Sequence, residues 1–396
     1  MPHKLKPIID NYESDFLNTS FGSNYIQFSQ FEAEIKKLWE NPLFKIGEVG
    51  SSFLQRPIYS IQAGSGSKSV MLWSQMHGDE PTATMALFDL LNFFSADDEF
   101  NKVRHLILNN CTFYILPFLN PDGAELNTRR NAQGIDINRD YLAQQSPEGR
   151  ILRLFHENIK PDFSFNLHDQ SIQWSAGKSG NPATISLLAP PYDDACSVND
   201  TRLKAMQLAT NINDVLQTYI PKYIGKWFDE FEPRAFGDNC QAAGSSTLLV
   251  ESGGYKDDFD RQFVRKIVFI AMLTGVYSIA GADFGEPDVS SYEQLPVNEK
   301  RHFSILLKNC RINNAVIDIG LVAERIISNS AISYVYRIED MGDLSGFFGY
   351  EEYDISALNI VTETPLAIEQ PANFIIKDSE NEILSFNNGR ITAKKI

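Results

Sequence analysis

Three short apolar runs in this chain each end on an ionisable side chain, and that pattern narrows the fold more than any other. Val70–Trp73 leads through Ser74-Gln75-Met76 into His77-Gly78-Asp79-Glu80. Phe163–Leu167 runs into His168-Asp169-Gln170, and Thr247–Val250 stops at Glu251 before Ser252-Gly253-Gly254. Helical patterns lie between and after them. One runs from Pro81 to about Phe94 with a wide apolar face, and one opens at Ser146-Pro147-Glu148. A third covers Thr201 to Tyr219, and a fourth, strongly apolar, covers Asp258 to about Ile279. Strands alternating with helices imply an α/β sheet with helices on both faces. Such sheets place their sites outside the carboxyl ends of the strands. His77, His168 and Glu251 are therefore expected to converge.

The rest of the chain is less regular. Residues 1–28 read as an irregular lead-in, and Ser29–Glu40 as an amphipathic helix with Ser29 as cap candidate. Strands are expected around Gln55–Gln62 and over Thr112–Leu116. Asn120-Pro121-Asp122-Gly123 is a strong turn signal, and residues 171–200 read as loop. Asp79 or Glu80 is the expected cap of the helix that opens at Pro81. From about Pro287 the alternation stops. Short β-branched runs follow at Ala315–Ile319, Ile332–Tyr336, Leu358–Thr362, Phe374–Ile376 and Ile383–Phe386. Asn388-Gly389 is a hairpin turn signal. The expected organisation is a lead-in and helix over 1–40, a catalytic domain over 41–290, and a small β-rich domain of sandwich type over 296–396.

Net charge is −16, which disfavours nucleic acid, because phosphate binding needs clustered Lys and Arg. The N-terminal residues lack the apolar core of a signal peptide, and no run approaches a membrane helix of about 18 apolar residues. The four cysteines are far apart and lack CxxC spacing. Free thiols in a reducing cytoplasm are the expected state.

His77 and Glu80 share one turn, and His168 arrives on another strand. Two His and one carboxylate suit a single catalytic zinc, which takes three protein ligands and keeps a fourth position open. The other histidines lack this setting. Glu251, a strand-end acid followed by two glycines, is the candidate base. Arg129-Arg130-Asn131 and Asn138-Arg139-Asp140 flank Gly134-Ile135-Asp136-Ile137. Paired arginines in one loop suit a carboxylate ligand.

The blocks HGDE (77–80), NPDG (120–123), RRNAQGIDINRD (129–140), FNLHDQ (165–170) and LLVESGG (248–254), in that order, resemble the zinc metallocarboxypeptidases of the carboxypeptidase A type. The resemblance implies a mixed, mostly parallel sheet of about eight strands. It implies His77, Glu80 and His168 as ligands of one zinc ion, and Glu251 as the general base that activates the zinc water. Arg129 looks like the arginine that polarises the scissile carbonyl. Asn138 and Arg139 look like the clamp for the substrate's terminal carboxylate. Trp227-Phe228 occupies the zone where digestive members carry a mobile tyrosine. Arg234, Phe236 and Asp238 are candidates to line the specificity pocket. The expected activity is zinc-dependent hydrolysis of a C-terminal peptide bond. An N-acyl amino acid deacylase of the aspartoacylase or succinylglutamate desuccinylase type is the alternative, with Asp169 beside the third ligand in its favour. A non-catalytic, zinc-stabilised binding module is the third. The expected partner is a peptide or acyl amino acid with a free carboxylate.

Overall fold

The computed structural model describes residues 2–281, 288–312, 315–328 and 331–395. The composition change near residue 287 lies outside them. The chain divides into two compact units. One comprises Met1–Ser171 and Ala183–Asn298; the other comprises Ile172–Pro182 and Glu299–Ile396.

The first unit is built on an eight-stranded sheet. Its strand order is Phe44–Ser51, Pro57–Gly64, Cys111–Leu116, Lys68–Trp73, Phe163–Asp169, Ser246–Ser252, Ile185–Leu188 and Ile224–Lys226. The central four strands run parallel, as do Ile185–Leu188 and Ile224–Lys226. The remaining neighbours are antiparallel. The sheet is thus mixed and mostly parallel, as expected.

The central strands are apolar on both faces because both faces are covered. Val70 and Leu72 enter one core with Phe88, Leu91 and Phe269 from the Thr82–Ser95 and Gln262–Gly281 helices. Met71 and Trp73, alternating with them, enter a second core with Leu152 and Phe236. After Lys68–Trp73 the chain pairs next on one side, at Cys111–Leu116, and later on the other, at Phe163–Asp169. That reversal is the topological switch point where α/β sheets open a crevice. His77 and His168 lie at its two lips.

Several expectations need correction. Residues 1–28 are not an irregular lead-in. Pro2–Asp10 is a helix and Tyr12–Phe16 a π-helical turn. Leu5, Ile8, Ile9, Tyr12 and Phe16 are buried in the main core, at the spacing of one helical face. Tyr12 Oη donates to Asp89 Oδ2 at 2.7 Å, and Arg265 Nε donates to the same oxygen at 2.7 Å. Asn120-Pro121 starts the Pro121–Leu126 helix instead of making a turn. Asn120 Oδ1 accepts from Gly123 N at 2.9 Å, and proline is favoured at the first helical position. The second helix starts at Phe28, capped by Gln27 and Gln30, not by Ser29. Within the expected loop, Ile185–Leu188 is a buried strand; its proline-rich flanks hid it.

The helix Gln262–Gly281 is long and apolar enough to cross a membrane, contrary to expectation, but 83% of its most apolar stretch is buried in this unit. All four cysteines are free.

The second unit is β-rich. Strands Ala331–Gly342, Ala315–Ser328, His302–Ile312 and Phe348–Asp354 form one sheet, in that order. Strands Asn359–Val361, Phe374–Lys377, Glu382–Asn387 and Arg390–Lys394 form another. Ile305, Leu307 and Ile319 from the first sheet share a core with Phe374, Leu384 and Phe386 from the second, so the two pack face to face. Asn388 and Gly389 both have positive φ, 48° and 77°, as a two-residue hairpin turn requires. Glu299–Lys300 pairs with Trp174–Ser175, the excursion from the middle of the chain.

Candidate metal centre

The turn after Lys68–Trp73 is held by its neighbours. Gln75 Nε2 donates to Gly78 O at 3.0 Å, and Asn120 Nδ2 donates to Met76 O at 3.2 Å. A Cβ on Gly78 would sit 2.0 Å from the Gly123 carbonyl carbon. Only glycine lets these two backbones approach so closely. The HGDE turn and the NPDG helix start are therefore one packed piece. Asp79 and Glu80 do not cap the next helix. Pro81 holds the cap position, and Asp169 Oδ2 accepts from Thr82 N at 3.4 Å and from Thr82 Oγ1 at 2.7 Å.

His77, Glu80 and His168 are brought together and buried. His77 Nδ1 lies 2.8 Å from Glu80 Oε1, and His168 Nδ1 lies 2.8 Å from Glu80 Oε2. The two ring nitrogens are 3.2 Å apart. Ligands held tetrahedrally at 2.0–2.1 Å from an ion are spaced roughly 3.3 Å from one another. The donor set therefore fits a single small cation. His77 Nε2 lies 3.1 Å from Asp136 Oδ1. A proton on Nε2 leaves the Nδ1 lone pair directed into the site, the usual role of an outer carboxylate on a ligating histidine.

Charge in the site is uneven. Burial opposes charge on His77, but Glu80 and Asp136 outweigh it and raise its pKa to about 9. Burial pushes His168 down. Against burial, the two imidazoles hold Glu80 well below the ordinary carboxylate range. Glu251 goes the other way. Burial first, then the charge of Glu80, raise it well above the usual value. It is paired with His168 in register on the adjacent parallel strand, so the two stand about 5 Å apart at the same height.

The arginine loop arrives over the site. Arg129 Nη1 lies 3.1 Å from His77 Nδ1 and 3.3 Å from Glu80 Oε1, and Arg129 Nε donates to Asp136 Oδ2 at 3.0 Å. Asp136 thus holds a metal-ligand candidate with one oxygen and Arg129 with the other. The sequence reading missed it, although an acid between two arginine positions of one loop was a visible signal. Asn138 Oδ1 accepts from Phe236 N at 3.0 Å, and Arg139 Nε lies 3.2 Å from Glu232 Oε2.

All seven expected site residues line one cavity of about 620 Å³. Trp227, Phe228 and Asp238 also line it, and no tyrosine does among the described residues. Phe236 is fully buried in the second core, and Arg234 lies outside the cavity, paired with Glu232 at 2.7 Å. Asp169 also lines the cavity; its Oδ2 accepts from Thr82 Oγ1 at 2.7 Å and lies 4.0 Å from Arg261, and burial raises its pKa to about 6.

With this geometry established, known proteins supply the family. Residues 32–220 match the zinc carboxypeptidase family pattern, which covers the three metal-ligand candidates and both arginine positions. This stretch belongs to the zinc carboxypeptidase family. Zinc is the metal of that family, and the His77–Glu80–His168 set fits it. Glu251 lies beyond the matched residues. Among curated relatives, Carboxypeptidase SOL1 of Arabidopsis thaliana is 30% identical over 103 residues, 24% of this chain and 21% of that protein. Carboxypeptidase E of Caenorhabditis elegans is 28% identical over 141 residues, 30% of each. The chain thus matches about a fifth to a third of their lengths. The fold is shared with a metallo-carboxypeptidase from Burkholderia cenocepacia (TM-score 0.52, 17% identity, 65% of this chain and 70% of that one). Bovine thrombin-activatable fibrinolysis inhibitor shares it too (TM-score 0.51, 15% identity, 65% and 96%).

Proposed function

We propose that this chain is a zinc metallocarboxypeptidase that hydrolyses a C-terminal peptide bond. The observation that carries the reading is the register of Glu251 beside His168, which puts an acid of raised pKa in the same cavity as the metal-ligand set. His77, Glu80 and His168 would hold the zinc ion. When bound, zinc supplies a Lewis acid that polarises the scissile carbonyl and lowers the pKa of water.

The protein's own groups do the rest. Asn138 and Arg139 receive the substrate's terminal carboxylate, which sets the bond to be cut at a fixed distance from the ligand set. Arg129 places guanidinium protons where negative charge develops on the carbonyl oxygen. Glu251 takes a proton from the attacking water at its carboxylate and returns it to the leaving amine. Burial and the charge of Glu80 raise its pKa, which favours uptake of that proton before it is passed on.

The test is a hydrolysis panel with purified, zinc-loaded protein, comparing N-blocked dipeptides with N-acetyl and N-succinyl amino acids. Release of the C-terminal residue from the dipeptides, abolished by a chelator and restored by zinc, is the expected result. Cleavage of the acyl amino acids alone would make the chain a deacylase. Zinc binding without hydrolysis of either would make it a binding module.

A further inference from the structure

The Glu251 carboxylate accepts no hydrogen bond among the described residues. Glu80, by contrast, is held by both histidines. The place of Glu251 is therefore set by its backbone, at a point where that backbone leaves the sheet. Asp169 and Ser252 are the last register pair of the two strands, one step past His168 and Glu251. Gln170 N donates to Ser252 O at 2.8 Å, the last hydrogen bond between these two backbones among the described residues. Gly253 and Gly254 come next. Strand ends fray where ladder bonds stop, so the base stands at a vulnerable height.

One side chain closes that end. Arg261 Nη1 donates to Ser252 O at 2.9 Å and to Gly253 O at 2.8 Å, and its Nη2 donates to Gln170 O at 3.4 Å. A single guanidinium thus spans the exits of both strands, as its planar fork of donors allows. On the other side Gly253 is packed against the segment leading into Ile185–Leu188. Its N donates to Thr184 O at 2.8 Å, and a Cβ there would sit 1.9 Å from Ala183 O. The chain just past Glu251 is therefore gripped between that segment and Arg261.

The arginine sits in a backbone conformation that does not favour it. Its φ is 55°, the left-handed region that a long side chain adopts only when its surroundings hold it there. Arg261 N donates to Asp258 O at 3.1 Å, and Arg261 O accepts from Arg265 N at 2.8 Å. Asp258 Oδ1 accepts from Phe263 N at 3.0 Å and its Oδ2 from Val264 N at 2.9 Å, which fastens the turn to the buried Gln262–Gly281 helix. Glycine would fit this turn without strain but would bring no guanidinium. We propose that Arg261 is a positioning residue for the reaction. By strapping Ser252, Gly253 and Gln170 to the Gln262–Gly281 helix, it fixes Glu251 relative to His168 and so to the metal-ligand set. Arg261 does not line the cavity, so it acts through Glu251 and not on the substrate. The catalytic part of this role rests on the carboxypeptidase reading above.

Wild type, Arg261→Gly and Arg261→Lys, all zinc-loaded, are compared on one dipeptide. Glycine accepts the left-handed turn, so Arg261→Gly removes the strap without straining the loop. Its kcat is expected to fall by about 10- to 100-fold, the scale of a misplacement of about 1 Å, with KM within about threefold and zinc content retained. Guanidinium ion at millimolar concentration should raise the kcat of Arg261→Gly by about fivefold or more and leave the wild type unchanged. Arg261→Lys keeps the charge without the fork and should stay at least about fivefold below wild type. An unchanged kcat in Arg261→Gly, or a loss carried by KM alone, overturns the inference. Hydrogen exchange of the metal-free proteins, read by mass spectrometry, separates the two readings. Exchange about tenfold faster at 168–171 and 251–254 in Arg261→Gly, with 265–280 unchanged, supports the strap even if the wild type hydrolyses no peptide and the carboxypeptidase reading fails. Unchanged exchange at those two segments, or faster exchange throughout the unit, overturns it.

Discussion

Arg139 Nε lies 3.2 Å from Glu232 Oε2, so the guanidinium proposed to receive the substrate's carboxylate already faces an acid of this protein. Glu232 also takes Arg234 at 2.7 Å, and those contacts hold it down at a pKa of about 2, fully ionised. An incoming carboxylate meets that charge as well as the arginine. Glu232→Gln is expected to lower KM by about 3- to 10-fold, the worth of one partly exposed charge contact, with kcat within about twofold. Steady-state kinetics on one dipeptide checks it; a raised KM would show that Glu232 orients Arg139 rather than competing for it.

Glu251→Gln keeps the shape and removes the proton acceptor. A kcat lower by about 10²- to 10⁴-fold is expected, with zinc content and KM near wild type. Full activity in this variant would refute the assigned base.

Asp136 touches both His77 and Arg129. Asp136→Asn should weaken zinc binding by about 10- to 100-fold, measured by competition with a chromophoric chelator. Because Arg129 loses its anchor too, kcat at saturating zinc should also fall. Loss of zinc affinity with unchanged kcat would mean Arg129 needs no anchor.

Asp89 and Arg265 are both fully buried and bound to each other, with Tyr12 and the Asn18 backbone completing the group. Asp89→Ala leaves a guanidinium buried without its counter-ion. A loss of about 3–5 kcal/mol in unfolding free energy is expected, read by denaturant titration. The double change Asp89→Leu with Arg265→Met should recover much of it.

His156 is buried with Nε2 unpartnered, and burial lowers its pKa to about 4. In the unfolded chain it titrates near 6.5. Between those values the unfolded state binds the extra proton, so acidification favours unfolding. Stability is complete above about pH 6.5 and falls toward pH 4, by up to roughly 3 kcal/mol from this residue. His156→Gln should remove that part of the slope, measured as the difference between unfolding curves at pH 7 and pH 4.5.

Much of the site was readable from residues alone, because its members sit at strand ends where an apolar run meets one charge. His77, His168 and Glu251 each follow or end such a run; the parallel register sets Glu251 level with His168, and the turn after Trp73 brings His77 to them. The supporting groups were harder. Asp136 belongs to a loop without period, and its role depends on where that loop folds back. Arg261 looked like any charged residue within DDFDRQ until the fold laid it against the two strand ends. The N-terminal helices were legible in principle, since Leu5, Ile8, Ile9, Tyr12 and Phe16 follow helical spacing, but polar neighbours and Pro7 masked it. Ile185–Leu188 spans four residues, too few for period to speak, and only its place between neighbouring strands makes it a strand.

The excursion Ile172–Pro182 has a consequence for how the chain is made. Ser175 pairs with Glu299, a residue that leaves the ribosome 124 positions later. At roughly 5–20 residues per second, that wait lasts roughly 6–25 seconds. Throughout it, the Trp174–Ser175 strand waits for the Glu299–Lys300 strand with which it pairs. A nascent chain stalled before residue 299 should therefore be open to proteases at 172–182 and protected there once synthesis ends.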